Sequence, residues 1–164
     1  PPRSTLFPYT TLFRSRRVFR EFKGLPHRME PAGTRGGVLF VNDSKATNPD
    51  AVRRALESAA GPVVLIAGGR DKGFDYAQLR AAVRRAAKGV VLLGEARDKM
   101  ARALSGAAPI RLAGTLEEAV RAAADQAEPG ETVLLSPACA SYDMFKNYEE
   151  RGDAFKRIVG QLRP

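Results

Sequence analysis

The chain has 164 residues, 44% of them hydrophobic, with 27 lysines and arginines against 18 acids and a formal charge of +9. That length and balance fit one soluble domain with its own core and exclude a purely disordered chain. No apolar run reaches membrane-spanning length, and one cysteine with one histidine excludes both an internal disulfide and a zinc site built from such residues.

The first segment, PPRSTLFPYTTLFRS, has neither helical period nor alternation, and it lacks the apolar core of a signal peptide. Its back-translation resembles a sequencing-library adapter. Residues 1–15 are therefore set aside as artefactual, the chain's own sequence is expected to begin near Arg16 as a fragment, and residues 16–27 are expected to be the remnant of an interdomain linker. From residue 28 to 164 a single α/β domain is expected. HRME and VLFV form a hairpin around the turn-rich PAGTRGG. NPDAVRRALESAAG is a helix with Asn48 as cap, Pro49 in the first turn and Gly61 as its end. PVVLIAGG is a strand buried on both faces. FDYAQLRAAVRRAAKG is a helix capped by Asp75 and stopped by Gly89. VVLLG (strand), ARDKMARALSG (helix) and IRLA (strand) follow. TLEEAVRAAADQAEPG starts with Thr115 and Glu118 in capping-box spacing, ETVLLSP is the last strand, and a helix covers about Asp153–Leu162. This alternation predicts a Rossmann-like, mostly parallel sheet flanked by helices, with room for one antiparallel edge strand.

Ligands of such sheets sit beyond the carboxyl ends of the strands. Three strand ends are rich in polar residues. NDSKATN places Lys45 and Thr47 before a helix amino end, where an anion is favoured. GGRDKG offers Lys72 as a point charge, but it is neither a P-loop nor a dinucleotide fingerprint. SPACASYDMFKNYEERG carries Ser141 as a hydrogen-bond donor, with Tyr142, Phe145 and Tyr148 nearby. Cys139 has no partner histidine in sequence and is read as a small packing residue. In GLPHRME, Arg28 taken alone reads as a solvated charge. Most other arginines fall among alanines on expected helix faces, without interleaved aromatics, so no nucleic-acid partner is expected. Together the loops suit recognition of a small acidic molecule and do not amount to a self-sufficient catalyst.

GLPHRME, NDSKATN, GGRDKGFDY and LLSPACASYDMFKNYEERG resemble, in order and spacing, successive motifs of the Mur ligases, in the branch that adds D-glutamate to UDP-N-acetylmuramoyl-L-alanine. The resemblance runs from about residue 20 to 162 and concerns the third of three domains. It implies an ATP-dependent ligase of the bacterial cytoplasm acting in peptidoglycan precursor synthesis, monomeric, with no membrane partner. ATP and Mg would be bound mainly by the absent central domain, and no metal ligand is expected in this chain. Lys72, Thr47 and Ser141 would hold the carboxylates of D-glutamate, with the Tyr142 backbone nearby and Tyr148 bordering the pocket. Relatives often carry an aliphatic residue at position 142 and phenylalanine at 148. Asp43 and Arg28 would touch the nucleotide, and Lys45 a phosphate or the amino-acid carboxylate. A hinge is expected near Phe22–Arg28, and the chain alone is expected to have no ligase activity. A Rossmann-like module for another small anion, or another amino-acid ligase of the superfamily such as a folylpolyglutamate type, are the alternatives.

Overall fold

A computed structural model describes residues 25–162. The segment at 1–15, most of the linker at 16–27, and the part of the expected hinge before Leu25 lie outside the described residues. Six strands form one sheet in the order β1-β2-β6-β3-β4-β5. They are β1 (Glu30–Arg35), β2 (Val38–Asn42), β3 (Val63–Gly68), β4 (Ala87–Leu93), β5 (Ile110–Leu112) and β6 (Thr132–Leu135). Only the β1–β2 pair is antiparallel. The mostly parallel Rossmann-like sheet with one antiparallel edge strand is therefore the observed fold.

The helices are α1 (Pro49–Glu57), α2 (Arg80–Ala86, preceded by a 3-10 turn at Tyr76–Leu79), α3 (Arg97–Leu104), α4 (Leu116–Ala124) and α5 (Tyr148–Gln161). They pack in two layers. Val52, Leu56, Leu79, Val83, Met100 and Leu104 cover one face of the sheet against Val41, Leu65, Leu92 and Leu134. Leu116, Val120, Phe155 and Val159 cover the other against Phe40, Ile66, Val91 and Leu135. Alternate residues of each parallel strand serve opposite cores, which is why β3 is buried at every position. The chain steps from β2 across to β3 and on to β5 with α1, α2 and α3 on one face. It returns to β6, between β2 and β3, with α4 on the other. This reversal places the carboxyl ends of β2, β6 and β3 side by side.

Local expectations fail where tertiary pairing overrides local signals. The expected HRME strand is displaced: β1 is EPAGTR, the stretch read as a turn. An edge strand tolerates Pro31, and the register shifts between Pro31 and Gly33 as a bulge. The reversal itself is Gly36-Gly37, with φ of 54° and 79°, the positive pair that a two-residue hairpin needs. Gly89 does not stop α2, because β4 begins at Ala87 to complete its pairing with β3. Ser58 rather than Gly61 closes α1.

The last helix begins at Tyr148, five residues earlier than Asp153. Asn147 accepts from the Glu150 amide at 2.7 Å, and Glu149 and Glu150 occupy the first turn. The caps at Asn48, Asp75 and Thr115 are as expected. At Thr115 the box is incomplete, since the Glu118 carboxylate accepts from the Gly114 amide.

Candidate anion-binding site at the strand ends

The loops after β2, β6 and β3 are tied to one another through the backbone. The Asp43 amide donates to Leu135 O (2.8 Å) and Ala138 N to Ala46 O (2.9 Å). Gly68 N donates to Pro137 O (2.8 Å), and Arg70 N to Ala140 O (2.9 Å). The loop after β6 thus lies between the other two and bonds to both. Ala138, at φ 61°, takes the left-handed turn that lets it do so.

Arg151, on the first turns of α5, locks this junction from beneath. Its guanidinium donates to the carbonyls of Ser44 (2.9 Å), Cys139 (3.2 Å) and Ala140 (3.2 Å), and to Ser44 Oγ (2.9 Å). Ser44 Oγ in turn donates to Tyr148 O (2.8 Å). The side chain is buried, and that burial pulls its pKa down to about 10, opposed by Cys139 and Asp143. The rigid planar fork suits several carbonyls at once, and a lysine could not serve them together. Sequence reasoning gave Arg151 no role. The only signal was the early start of α5, which turns it inward.

Lys45, Lys72 and Tyr142 are exposed, Thr47 and Tyr148 half-buried, and Ser141 buried. Lys45 Nζ stands 5.6 Å from the centre of the Tyr148 ring. The Ser141 carbonyl accepts from Met144 and Phe145. Arg28, Asp43 and Lys45 line one opening of about 440 Å³, with Asn48, Arg54 and Ser58. Asp43 is buried there and accepts from Ser136 Oγ (2.8 Å) and the Met29 amide (3.3 Å). Burial raises its pKa, and those bonds with the nearby Arg28 charge oppose the rise. Lys72 and Ser141 lie outside this opening, on the loops joined at Arg70 and Ala140. A larger opening of about 730 Å³ sits at the amino end of β2 against α4 and α5, and contains none of the expected site residues.

His27 is engaged elsewhere than at Cys139. Asn42 donates to its Nδ1 at 3.1 Å, and its ring packs edge-on to Tyr148 at 6.0 Å. Cys139 is fully buried, and burial pushes its thiol up to about 11, with the Arg151 charge opposing. It is a packing residue, inert as a nucleophile. The shift has a thermodynamic sign. Below about pH 9 the thiol is protonated in both states and its contribution is complete. As pH rises toward about 11, only the unfolded chain ionises and stability falls. Tyr76, also raised by burial, adds a loss of the same sign from about pH 10, where Arg151 begins to oppose it. Urea unfolding should show stability falling by about 1 kcal/mol between about pH 8 and pH 10, a fall that Cys139→Ser removes. An unchanged slope in the variant contradicts the assignment.

No group of three or more His, Cys, Asp or Glu among the described residues could hold a metal ion. No described helix is long and apolar enough to cross a membrane.

Residues 27–139 match the family described as Mur ligase, glutamate ligase domain. The chain is 56% identical over 142 residues to the UDP-N-acetylmuramoylalanine–D-glutamate ligase of Salinibacter ruber, which covers 86% of this chain and 31% of the relative. It is 52% identical over 141 residues to the protein of that name in Myxococcus xanthus, again 86% of this chain and 31% of the relative. The chain spans about a third of the length of these curated relatives. Among solved structures, the UDP-N-acetylmuramate–alanine ligase of Thermotoga maritima aligns with a TM-score of 0.62 at 16% identity, over 93% of this chain and 36% of that one. A folylpolyglutamate synthase/dihydrofolate synthase of Yersinia pestis aligns at 0.60 with 18% identity, over 83% of this chain and 32% of that one. At those identities the two structures speak to the fold alone. With the match covering the sheet from the approach to β1 through the end of β6, the chain belongs to the Mur ligase family, as its glutamate ligase domain.

Proposed function

We propose that this chain is the amino-acid-binding domain of an ATP-dependent ligase that joins D-glutamate to UDP-N-acetylmuramoyl-L-alanine in the bacterial cytoplasm. The convergence of the three polar loops carries the reading, because it gathers cations and hydroxyls at the site where a parallel sheet presents ligands. Relatives half identical to the chain bear that ligase's name. In the reaction, the carboxylate of L-alanine takes the γ-phosphoryl group of ATP to give an acyl phosphate and ADP, the D-glutamate amine attacks the carbonyl carbon, and phosphate leaves as the amide forms.

The chain's part is to bind and orient. Lys72, Thr47 and Ser141 hold the D-glutamate carboxylates, the Ser141 hydroxyl being suited to donate to one of them. Tyr142 contributes its backbone beside them. Tyr148, under Lys45, borders the amino-acid pocket. Arg28 and Asp43 face the nucleotide from the shared opening, and Lys45 neutralises phosphate or carboxylate charge there. Magnesium would be held mainly by the central domain of the whole enzyme.

NMR titration of the labelled chain should show saturable D-glutamate shifts around Thr47, Lys72 and Ser141, with the D enantiomer preferred. Lys72→Ala should raise the Kd by about 10–100-fold, the worth of a charge-assisted contact. Shifts equal for both enantiomers, or absent, overturn the reading. The chain alone should release no phosphate in response to D-glutamate, and detectable release would contradict the division of labour proposed.

A further inference from the structure

Beneath Lys72 lies a chain of polar side chains that the binding reading does not use. Asp71 Oδ1 accepts from the Gly73 amide (2.9 Å) and from Tyr76 Oη (2.9 Å), and its Oδ2 accepts from Lys99 Nζ (2.8 Å). Tyr76 Oη also lies 3.2 Å from Cys139 Sγ. The hydrogen-bond directions follow from chemistry. Tyr76 has one hydroxyl proton and Asp71 is ionised, held below the usual carboxylate range by the Lys99 bond. Tyr76 therefore donates to Asp71, and the Cys139 thiol donates to Tyr76. Lys99, from α3, also stands 5.2 Å over the Tyr76 ring.

The relay connects two loops that are distant in sequence. Asp71 and Gly73 flank Lys72 and close a tight turn around it. Cys139 stands two residues before Ser141. The backbone bonds from Arg70 to Ala140 and from Gly68 to Pro137 run alongside, so the relay adds a side-chain link to two backbone ties. The charge arrangement matters equally. A bare Asp71 carboxylate next to Lys72 would repel an anionic ligand at the position where Lys72 attracts it. Lys99 removes that conflict at 2.8 Å.

We propose that Asp71, Tyr76 and Lys99 are positioning residues for the anion-binding edge: the relay sets Lys72 against Ser141, and Lys99 silences the carboxylate that the relay requires. The inference rests on the reading of Lys72 and Ser141 as D-glutamate ligands.

Three variants of the full chain test it by NMR. Tyr76→Phe deletes one hydroxyl and keeps the ring. Without ligand, it should displace the amide resonances of Ala140 and Ser141, and it should raise the D-glutamate Kd about 3–10-fold. Lys99→Met keeps the apolar stem and uncovers Asp71, and should also weaken D-glutamate by about 3–10-fold. Asp71→Asn added to Lys99→Met removes the exposed charge and retains an acceptor, so the Kd should return to within about twofold of wild type. A lysine that served only stability would not be repaired by that second change. An unchanged Kd in Lys99→Met, a double variant as weak as the single, or unmoved Ala140 and Ser141 resonances in Tyr76→Phe each overturn the proposal. A wild-type chain that takes up no D-glutamate, while Tyr76→Phe still moves Ser141, defeats the functional reading and supports the tie between the loops.

Discussion

Replacing Arg151 by methionine is expected to lower the free energy of unfolding by about 3–5 kcal/mol, a large share of what a domain this size possesses. Methionine fills much of the same space, so the loss is not chiefly a cavity effect. It comes from the groups left behind. The Ser44 and Cys139 carbonyls and Ser44 Oγ lose guanidinium hydrogen bonds in a buried region, while the Ala140 carbonyl keeps the one from Arg70 N. Losing a buried donor costs about 1–3 kcal/mol for each orphaned acceptor, with less than full additivity among neighbours. Arg151→Lys keeps the charge but not the fork, and should recover less than half of the loss. Guanidinium unfolding with an unchanged m-value reads the effect directly. The β2 and β6 loops should loosen together, since Ser44 belongs to one and Cys139 and Ala140 to the other. A loss below about 1 kcal/mol would mean that the backbone ties between these loops suffice without the arginine.

The buried arginine also marks the boundary of what the sequence discloses. Strand and helix order is legible because apolar runs such as VVLIAG and VVLL can be buried only in a parallel sheet covered on both faces. The three polar loops are legible because most of their residues serve no strand and, apart from Asn48 and Asn147, no cap. Their mutual position is not: it depends on β6 inserting between β2 and β3, a long-range pairing without a local signal. The same holds for β1, where a proline and three glycines within and after EPAGTR mimic a turn until β2 supplies an edge to pair with. Arg151 was hidden because an arginine four residues into a helix normally faces water. Its inward direction depends on α5 starting at Tyr148, and the cap that sets this start, Asn147 with Glu150, was present in NYEE but read as loop. Asp71 and Lys99 were both visible as charges, yet their pairing across the α3 interface follows only from the packing of that helix on the sheet.

Gly69→Ala is expected to destabilise the chain by at least about 3 kcal/mol and to abolish D-glutamate binding with it. Two effects add. Gly69 has φ 133°, a backbone conformation that an L residue with a side chain rarely adopts. An added Cβ would also collide with the Ala140 carbonyl oxygen and press on Cys139 Cβ and Arg151 Nη1, each at 3.2 Å. The obstacle is backbone that is already committed, because Ala140 O accepts from both Arg70 N and Arg151. Relief would require moving the β6 loop away from the β3 loop, breaking the Arg70–Ala140 bond between the loops that carry Lys72 and Ser141. Gly73→Ala supplies the control: it lies in the same loop at φ 77° with nothing near its added Cβ, so it bears backbone strain alone, about 1 kcal/mol. The difference between the two variants therefore measures the close approach itself. If Gly69→Ala proved no worse than Gly73→Ala, the β3 and β6 loops would be free to part, and the rigid edge on which Lys72 and Ser141 are presented would not exist.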